Sequence, residues 1–301
     1  MKPETLARSG LGLLLVTAAP GAAVEKGPYV AFELGVGVGG SMVLHGTDDD
    51  VATTCDGWIV PLDGTNAGCN PPPSAWTADI NDTGSGFAGS IALGYRLFSF
   101  RGELELVHST FSYDEVSDVL ATDDVSVAKR EQEIEAAETR VETVQHEAIF
   151  ANVYWDVPPT VLIWPYVGIG IGVADVSVDY FNRWKRNSDP GAIVTFEGHP
   201  DAAELRRILA GTTTVASAKL KDTATAIQIL AGVDFRVAET VVLGFKARLV
   251  QYEDFETDRL LWDQLRSHHS SRSPGGEEVS YVVSTDDLSL WALSFGLKYR
   301  F

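Results

Sequence analysis

Three kinds of residue cluster in this 301-residue chain have types and spacings that perform chemistry in other proteins. Gly35-Val-Gly-Val-Gly-Gly40 satisfies the dinucleotide pattern GxGxxG. That chemistry needs a helix N-terminus directly after the glycines to receive a pyrophosphate. Here Met42-Val-Leu-His45 and Asp48-Asp-Asp50 follow, which is no such start. Gly35, Gly37 and Gly39 read instead as small residues that leave room in a narrow interior. Asp48, Asp49 and Asp50 near His45, and Asp123 with Asp124, have donor types suited to a divalent cation. Calcium sites, however, take spaced oxygens from a sharply turning loop, whereas a plain acidic run is solvated. No metal and no cofactor is expected. His268-His-Ser270, and His108 beside Ser109 or Thr110, set a base near a hydroxyl. Nucleophilic catalysis also requires a third group to orient the base, and neither run has a positioned acid beside it. The expectation is a polar loop and no enzyme.

The elements around these residues are strands. In the terminal run Trp291-Ala-Leu-Ser-Phe-Gly-Leu-Lys-Tyr-Arg-Phe301, Leu293, Phe295, Leu297, Tyr299 and Phe301 point one way. Ala292, Ser294, Gly296, Lys298 and Arg300 point the other, because successive strand side chains face opposite sides. An apolar stripe backed by small and cationic groups suits a wall between lipid and a polar lumen.

The same alternation recurs in pairs of runs joined by very short connections. One pair is Phe87–Arg96 and Arg101–Leu106, another Glu147–Val157 and Ile163–Val173, a third Thr225–Val237 and Val241–Gln251. With Tyr29–Val38 and the terminal run this makes eight strands, an even number within the range of outer-membrane barrels. Long connections, Val43–Ser85, Ser112–Val144, Asp175–Thr223 and Glu253–Asp287, read as loops on the outer side, with both chain ends in the periplasm.

At the front, Lys2 and Arg8 precede the apolar run Leu11–Ala19 and the small residues Pro20-Gly-Ala-Ala23. That layout predicts a signal peptide over residues 1–23 and a barrel domain over 24–301. No uninterrupted apolar run reaches the roughly 18 residues of a spanning helix, so a membrane-spanning form must be a closed barrel. The formal charge of −19 argues against nucleic acid, which needs clustered cations. Cys55 and Cys69 are the only cysteines and flank a loop rich in Gly, Pro and Asn; in an oxidising compartment they are expected to form a disulfide.

Ala151-Asn-Val-Tyr-Trp-Asp156, Pro165-Tyr-Val-Gly-Ile-Gly170, Leu243-Gly-Phe-Lys246 and Lys298-Tyr-Arg-Phe301 resemble the strand patterns of the small eight-stranded outer-membrane proteins, which include opacity proteins and the OmpA-type and OmpX-type barrels. The resemblance covers nearly the whole mature chain. It implies an all-β, antiparallel transmembrane barrel with long extracellular loops in the outer membrane of a Gram-negative bacterium. It also implies that Phe295, Leu297, Tyr299 and Phe301 form the signal read by the barrel assembly machinery. The His-x-Ser spacing of His268 and Ser270 is similar to that of the lipid A deacylases, also eight-stranded barrels, but here it lies in a loop without an evident acid.

Eight strands enclose an interior just wide enough for side chains. Glu33, Glu103, Glu105 and Asp234 are therefore expected to pair with Lys246, Arg248 and Lys298 and to plug the lumen. In the loops, Asp201-Ala-Ala-Glu204 before Leu205, Ile208 and Leu209, and Asp258 before Leu261, Trp262 and Leu265, have helical spacing and predict small helices covering apolar loop surface. Lys129–Thr143 fits either a solvated helix or an extension of the flanking strands. The expected function is structural or adhesin-like surface interaction, with a small gated channel as the alternative and a lipid-modifying enzyme as a more distant one. The expected partners are outer-membrane lipid, the assembly machinery and a host or cell-surface ligand bound through the loops.

Overall fold

A strand that alternates apolar and polar side chains cannot stand alone, because its unpaired amides and its apolar face both need cover. In this chain such strands cover one another by closing into a ring. The computed structural model describes residues 26–50, 74–122, 131–157, 163–194, 198–266, 272, 278–286 and 288–301. In chain order the strands are β1 (Gly27–Gly39), β2 (Met42–Asp48), β3 (Ser74–Ile80), β4 (Ser85–Leu97), β5 (Phe100–Ser112), β6 (Val116–Ala121) and β7 (Ile134–Asp156). There follow β8 (Ile163–Arg186), β9 (Thr213–Arg236), β10 (Val241–Tyr252), β11 (Phe255–Glu256), β12 (Leu260–Leu261), β13 (Ser280–Thr285) and β14 (Ser289–Arg300). Eight of them, in the order β1, β4, β5, β7, β8, β9, β10, β14, pair antiparallel, and β14 pairs back to β1. The wall is a closed eight-stranded barrel.

The long connections are not loops throughout. β13, β2, β3, β6 and β7 pair in the same neighbour order as β14, β1, β4, β5 and β7. They are the same wall carried further, interrupted only by short breaks such as Gly40–Ser41. β7, β8 and β9 run through both halves without a break. Between β9 and the segment after β10 the ladder continues through Glu253 N–H to Thr225 C=O (2.8 Å) and Val215 N–H to Gln264 C=O (2.9 Å). The expected loops are thus largely an outer half of the barrel. Lys129–Thr143 resolves the same way, as strand from Ile134 onward.

What hid this half is an inversion of chemistry along each strand. On β8, Ile163, Val167, Ile169, Ile171 and Val173 face outward and are exposed. About 11 residues at about 3.3 Å each, tilted near 45°, give roughly 25 Å of height, the thickness of a membrane-facing band. From Asp175 onward the outward set becomes mainly polar, with Asp175, Ser177, Asp179, Arg183 and Lys185 beside Phe181, while Val176, Val178, Tyr180 and Trp184 are buried inside with Asn182 and Arg186. The switch falls on one row across neighbouring strands, since His108 pairs with Glu147, Glu147 with Asp175 and Asp175 with Thr223. Below the row the outside is apolar and the inside polar; above it the outside is mostly polar and the inside mostly apolar, as water outside favours.

The outer half therefore has a true apolar core. Trp76 lies 6.4 Å from Trp184 and 5.6 Å from Trp262 between ring centroids, and Trp262 lies 4.6 Å from Tyr281. This overturns the helix expected after Asp258. Trp262 and Leu265 are buried in the core, and the backbone there bonds to β9 and β13 rather than to itself. The other expected helix is present as α1 (Ala202–Leu209), with Gly211 beyond it at φ +74° in the left-handed region that glycine adopts freely. None of its residues is buried and Asp201 makes no side-chain cap, so it covers no core.

Candidate functional site: the barrel interior

An inward charge at membrane depth has lost its water and needs an opposite charge in its place. β5 and β10 stand on opposite sides of the eight-strand ring, each with three strands between them either way. Their inward residues nevertheless meet. Arg248 on β10 forms a hydrogen-bonded ion pair with Glu105 on β5. Lys246 Nζ lies 2.7 Å from Glu33 on β1, 3.5 Å from Glu105 and 4.0 Å from Glu103. Glu105 also accepts from Asn152 Nδ2 (2.8 Å), and Gln228 Nε2 donates to Asn152 (2.6 Å). The Tyr29 hydroxyl donates to Glu103 at 2.6 Å.

A second cluster lies toward the short-turn end. Asp234 on β9 accepts from Lys298 Nζ at 2.8 Å and from Arg101 Nη1 at 3.1 Å. Asp156 pairs with Arg101 at 2.9 Å and with Arg96 at 2.6 Å. All seven charges expected in the lumen are buried and face one another, in two groups and not one. Sequence reasoning missed Arg96, Arg101 and Asp156 as members, along with Tyr29, Asn152 and Gln228. The parity of their strands already marks the three charged ones as inward; nothing in the sequence gives the cross-barrel register.

Glycines make the room. Gly168 pairs with Tyr154, Gly172 with Phe150, Gly232 with Tyr166 and Gly94 with Tyr29, each glycine opposite a large inward ring. A Cβ on Gly94 would lie 2.7 Å from Tyr29 Cε1, and one on Gly168 2.9 Å from Tyr154 Cε1. Gly35 and Gly37 lie within β1 close against Ser294 and Ala292 of β14, not against a ring, with no helix behind them. At the break between the halves, Tyr113 packs over Gly84 and donates to Gly40 C=O at 3.0 Å. Burial, then the nearby Asp82, pushes its hydroxyl up to about 12, so it stays a neutral donor.

The other chemically suggestive residues do not converge. His108 is half-exposed on the outside, whereas Ser109 is buried inside, 3.4 Å from His146 Nδ1, so the wall separates that pair. Asp49 accepts from Ser280 N–H (2.7 Å) and Arg259 Nη1 (3.1 Å). Among the described residues no three His, Cys, Asp or Glu side chains gather as metal ligands. Phe295, Leu297, Tyr299 and Phe301 all face outward and exposed at the end of β14. The signal segment 1–23, Cys55 and Cys69, Asp123 and Asp124, and His268–Ser270 lie outside the described residues.

Residues 76–187, less than half of the chain, match a family model described as surface antigen. No curated relative matches. Among solved structures, Neisserial surface protein A is similar at 12% identity and TM-score 0.39, with 91% of this chain and 97% of that one covered. The outer membrane protein OprG from Pseudomonas aeruginosa gives 12% identity and TM-score 0.43, with 92% and 98% covered. The outer membrane protease OmpT from Escherichia coli gives 7% and 0.36, with 90% and 97% covered. These likenesses are too distant to add to the geometry. A ring closed by hydrogen bonds, apolar outside over one membrane-high band and polar within it, is a wall made to stand in lipid, and this chain folds as a closed, eight-stranded antiparallel β-barrel of the outer-membrane type.

Proposed function

We propose that this barrel is a non-conducting structural and surface-interaction protein, with its lumen plugged by its own side chains and its outer half displayed beyond the membrane. One observation carries the reading: Arg248 and Glu105 bridge the full diameter of the ring at membrane depth. Glu105 and Gln228, both 0% exposed, pack across the same level and support this reading. The apolar core above adds a second obstruction in series. An adhesin-like role draws support from the polar outer face of the upper half and from the surface-antigen match to residues that build much of it. The partners in this reading are lipid around the band, the assembly machinery during insertion and a cell-surface ligand on the outer half. The reading assigns no catalytic role to His108 and Ser109, which face opposite sides of the wall.

Planar-bilayer recording on the purified barrel tests the plug: no discrete conductance is expected, and stable unitary steps would replace this reading with the gated-channel one. Intact cells with and without the protein, compared for binding to host matrix and complement components, test the surface role, which equal binding would remove. Lipid A mass spectra from deleted and complemented cells are expected to coincide; altered acylation would point to the enzyme.

A further inference from the structure

The lipid-facing wall is not evenly covered by side chains. One row of outward positions crosses five neighbouring strands: Leu34 of β1 pairs with Gly89 of β4, Gly89 with His108 of β5, His108 with Glu147 of β7, and Glu147 with Asp175 of β8. Gly89 has no side chain to fill its place in that row, and a groove of about 670 Å³ opens over it. Leu34, Ile91, Leu106 and Ile149 line the groove, and at its β7–β8 side stand Glu147 and Asp175. A Cβ on Gly89 would lie 3.3 Å from Phe87 Cε1 and 3.4 Å from Leu34 Cδ2, the tips of exposed side chains that can turn aside. Glu147 and Asp175 also belong to a second cleft, of about 510 Å³, on the polar side of the row, which adds Asp222, Glu256 and Asp258. Both volumes fall in the range of about 300–1,000 Å³ common to ligand sites.

The partners of these carboxylates are mostly neutral. Asp175 accepts from the Thr223 hydroxyl at 2.8 Å, and Asp222 accepts from the N–H groups of Thr223 (2.7 Å) and Glu256 (2.9 Å). Such bonds leave a carboxylate its charge. Glu147 lies 3.7 Å from the half-exposed ring of His108, and Lys221 is the one Lys or Arg lining the second cleft. Lys219, two positions back along β9, lies 3.6 Å from Asp179 instead. Five carboxylates therefore face Lys221 and His108. In lipid an apolar tail gains little by leaving its neighbours for a groove, so the head group decides which amphiphile stays. A phosphate head would meet like charge here, whereas a cationic head would balance the cleft, most strongly at the membrane boundary where the dielectric falls. We infer that the groove is a binding site for an amphiphile with a linear apolar tail and an ammonium head, the tail lying over Gly89 and the head among Glu147, Asp175 and Asp222. The site is on the outer face of the wall and is independent of the lumen plug.

The test uses the full-length barrel in phosphatidylcholine nanodiscs at low ionic strength. Two probes share one nitroxide-labelled stearyl chain and differ in the head, trimethylammonium or phosphate; the motionally restricted fraction of each is read by electron paramagnetic resonance. A saturable site is expected, with about tenfold preference for the ammonium probe. Gly89→Leu fills the groove without altering charge and should weaken ammonium binding about tenfold. Gly102→Leu adds the same side chain to an open position on β5 and should leave binding unchanged. Glu147→Gln combined with Asp175→Asn should abolish the head-group preference. Glu135→Gln combined with Glu138→Gln removes the same charge from carboxylates that pair with Lys185 and Arg183 higher on the outer half, and should preserve it. Leu106→Trp fills the groove from β5 and decides the matter should Gly89→Leu fail to fold, with heat-modifiable mobility as the check on folding. Absence of a saturable site, equal affinity for the two probes in the parent, or parent-like ammonium binding in either the groove-filling or the Glu147 and Asp175 variants overturns the site.

Discussion

Lys246 is the residue on which the inner cluster turns, because it faces Glu33, Glu103 and Glu105 within 4.0 Å and lies deep in the wall. Removing its ammonium leaves three carboxylates with one cation, Arg248, where water is scarce. Lys246→Ala is expected to lower stability by about 3 kcal/mol in denaturant titrations of the refolded barrel. Double-mutant cycles with Glu33→Ala and with Glu105→Ala should each show coupling of about 1 kcal/mol or more. Coupling near zero in both would mean that these charges are solvated separately. Steric fit is equally local. Gly94→Ala is expected to cost about 1–3 kcal/mol by driving a methyl into the Tyr29 ring. Combined with Tyr29→Ala, it should cost less than the sum of the two single changes, and strict additivity would show that the ring is not the obstacle.

At the scale of the strand, β8 carries two opposite patterns on one backbone. Val167 faces outward in the band, whereas Val178, only eleven positions on, is buried in the outer core. Val178→Asp sets an unpaired carboxylate among Tyr180, Leu220 and their neighbours, with a cost of several kcal/mol. Because the membrane-level ring is closed by its own ladder, the loss should stay in the outer half. Hydrogen exchange is expected to rise over residues 174–186 and 213–224 while 163–173 stays protected. Loss of protection throughout β8 would show that the halves fold as one unit. Asp179→Val, on the outer face, should change neither.

Over the whole molecule, closure depends on the last strand meeting the first. β14 pairs with β1 and β10 along nearly its full length, and Phe301 N–H reaches Pro28 C=O at 3.2 Å. The Phe301 side chain is 76% exposed on the outside, where it adds little to packing, which leaves it available for recognition during insertion. Deleting Phe301 is therefore expected to cause periplasmic accumulation or degradation with little change in the stability of barrel refolded in detergent. Surface-exposed, heat-modifiable protein at the parent level in cells would count against this role.

Parity was legible in the sequence, and with it the eight membrane-level strands, their outward apolar set and the inward positions of Glu33, Glu103, Glu105, Asp234, Lys246, Arg248 and Lys298. That follows from the period of two, which fixes the face of every residue once one is known. The same parity is present in Val176, Val178, Tyr180 and Trp184, yet the sequence there reads as loop, because apolar-in with polar-out lacks the lipid-facing stripe by which barrel strands are recognised. Only the tertiary structure showed that these residues prolong the wall. Trp262 looked helical by spacing and was claimed instead by a core built from Trp76, Trp184 and Tyr281, residues remote in sequence. Likewise no local pattern could tell that Arg248 meets Glu105 across the ring, or that Arg101 divides itself between Asp156 and Asp234. Those pairings depend on register and on the closure of the ring, which are properties of eight strands together and of no strand alone.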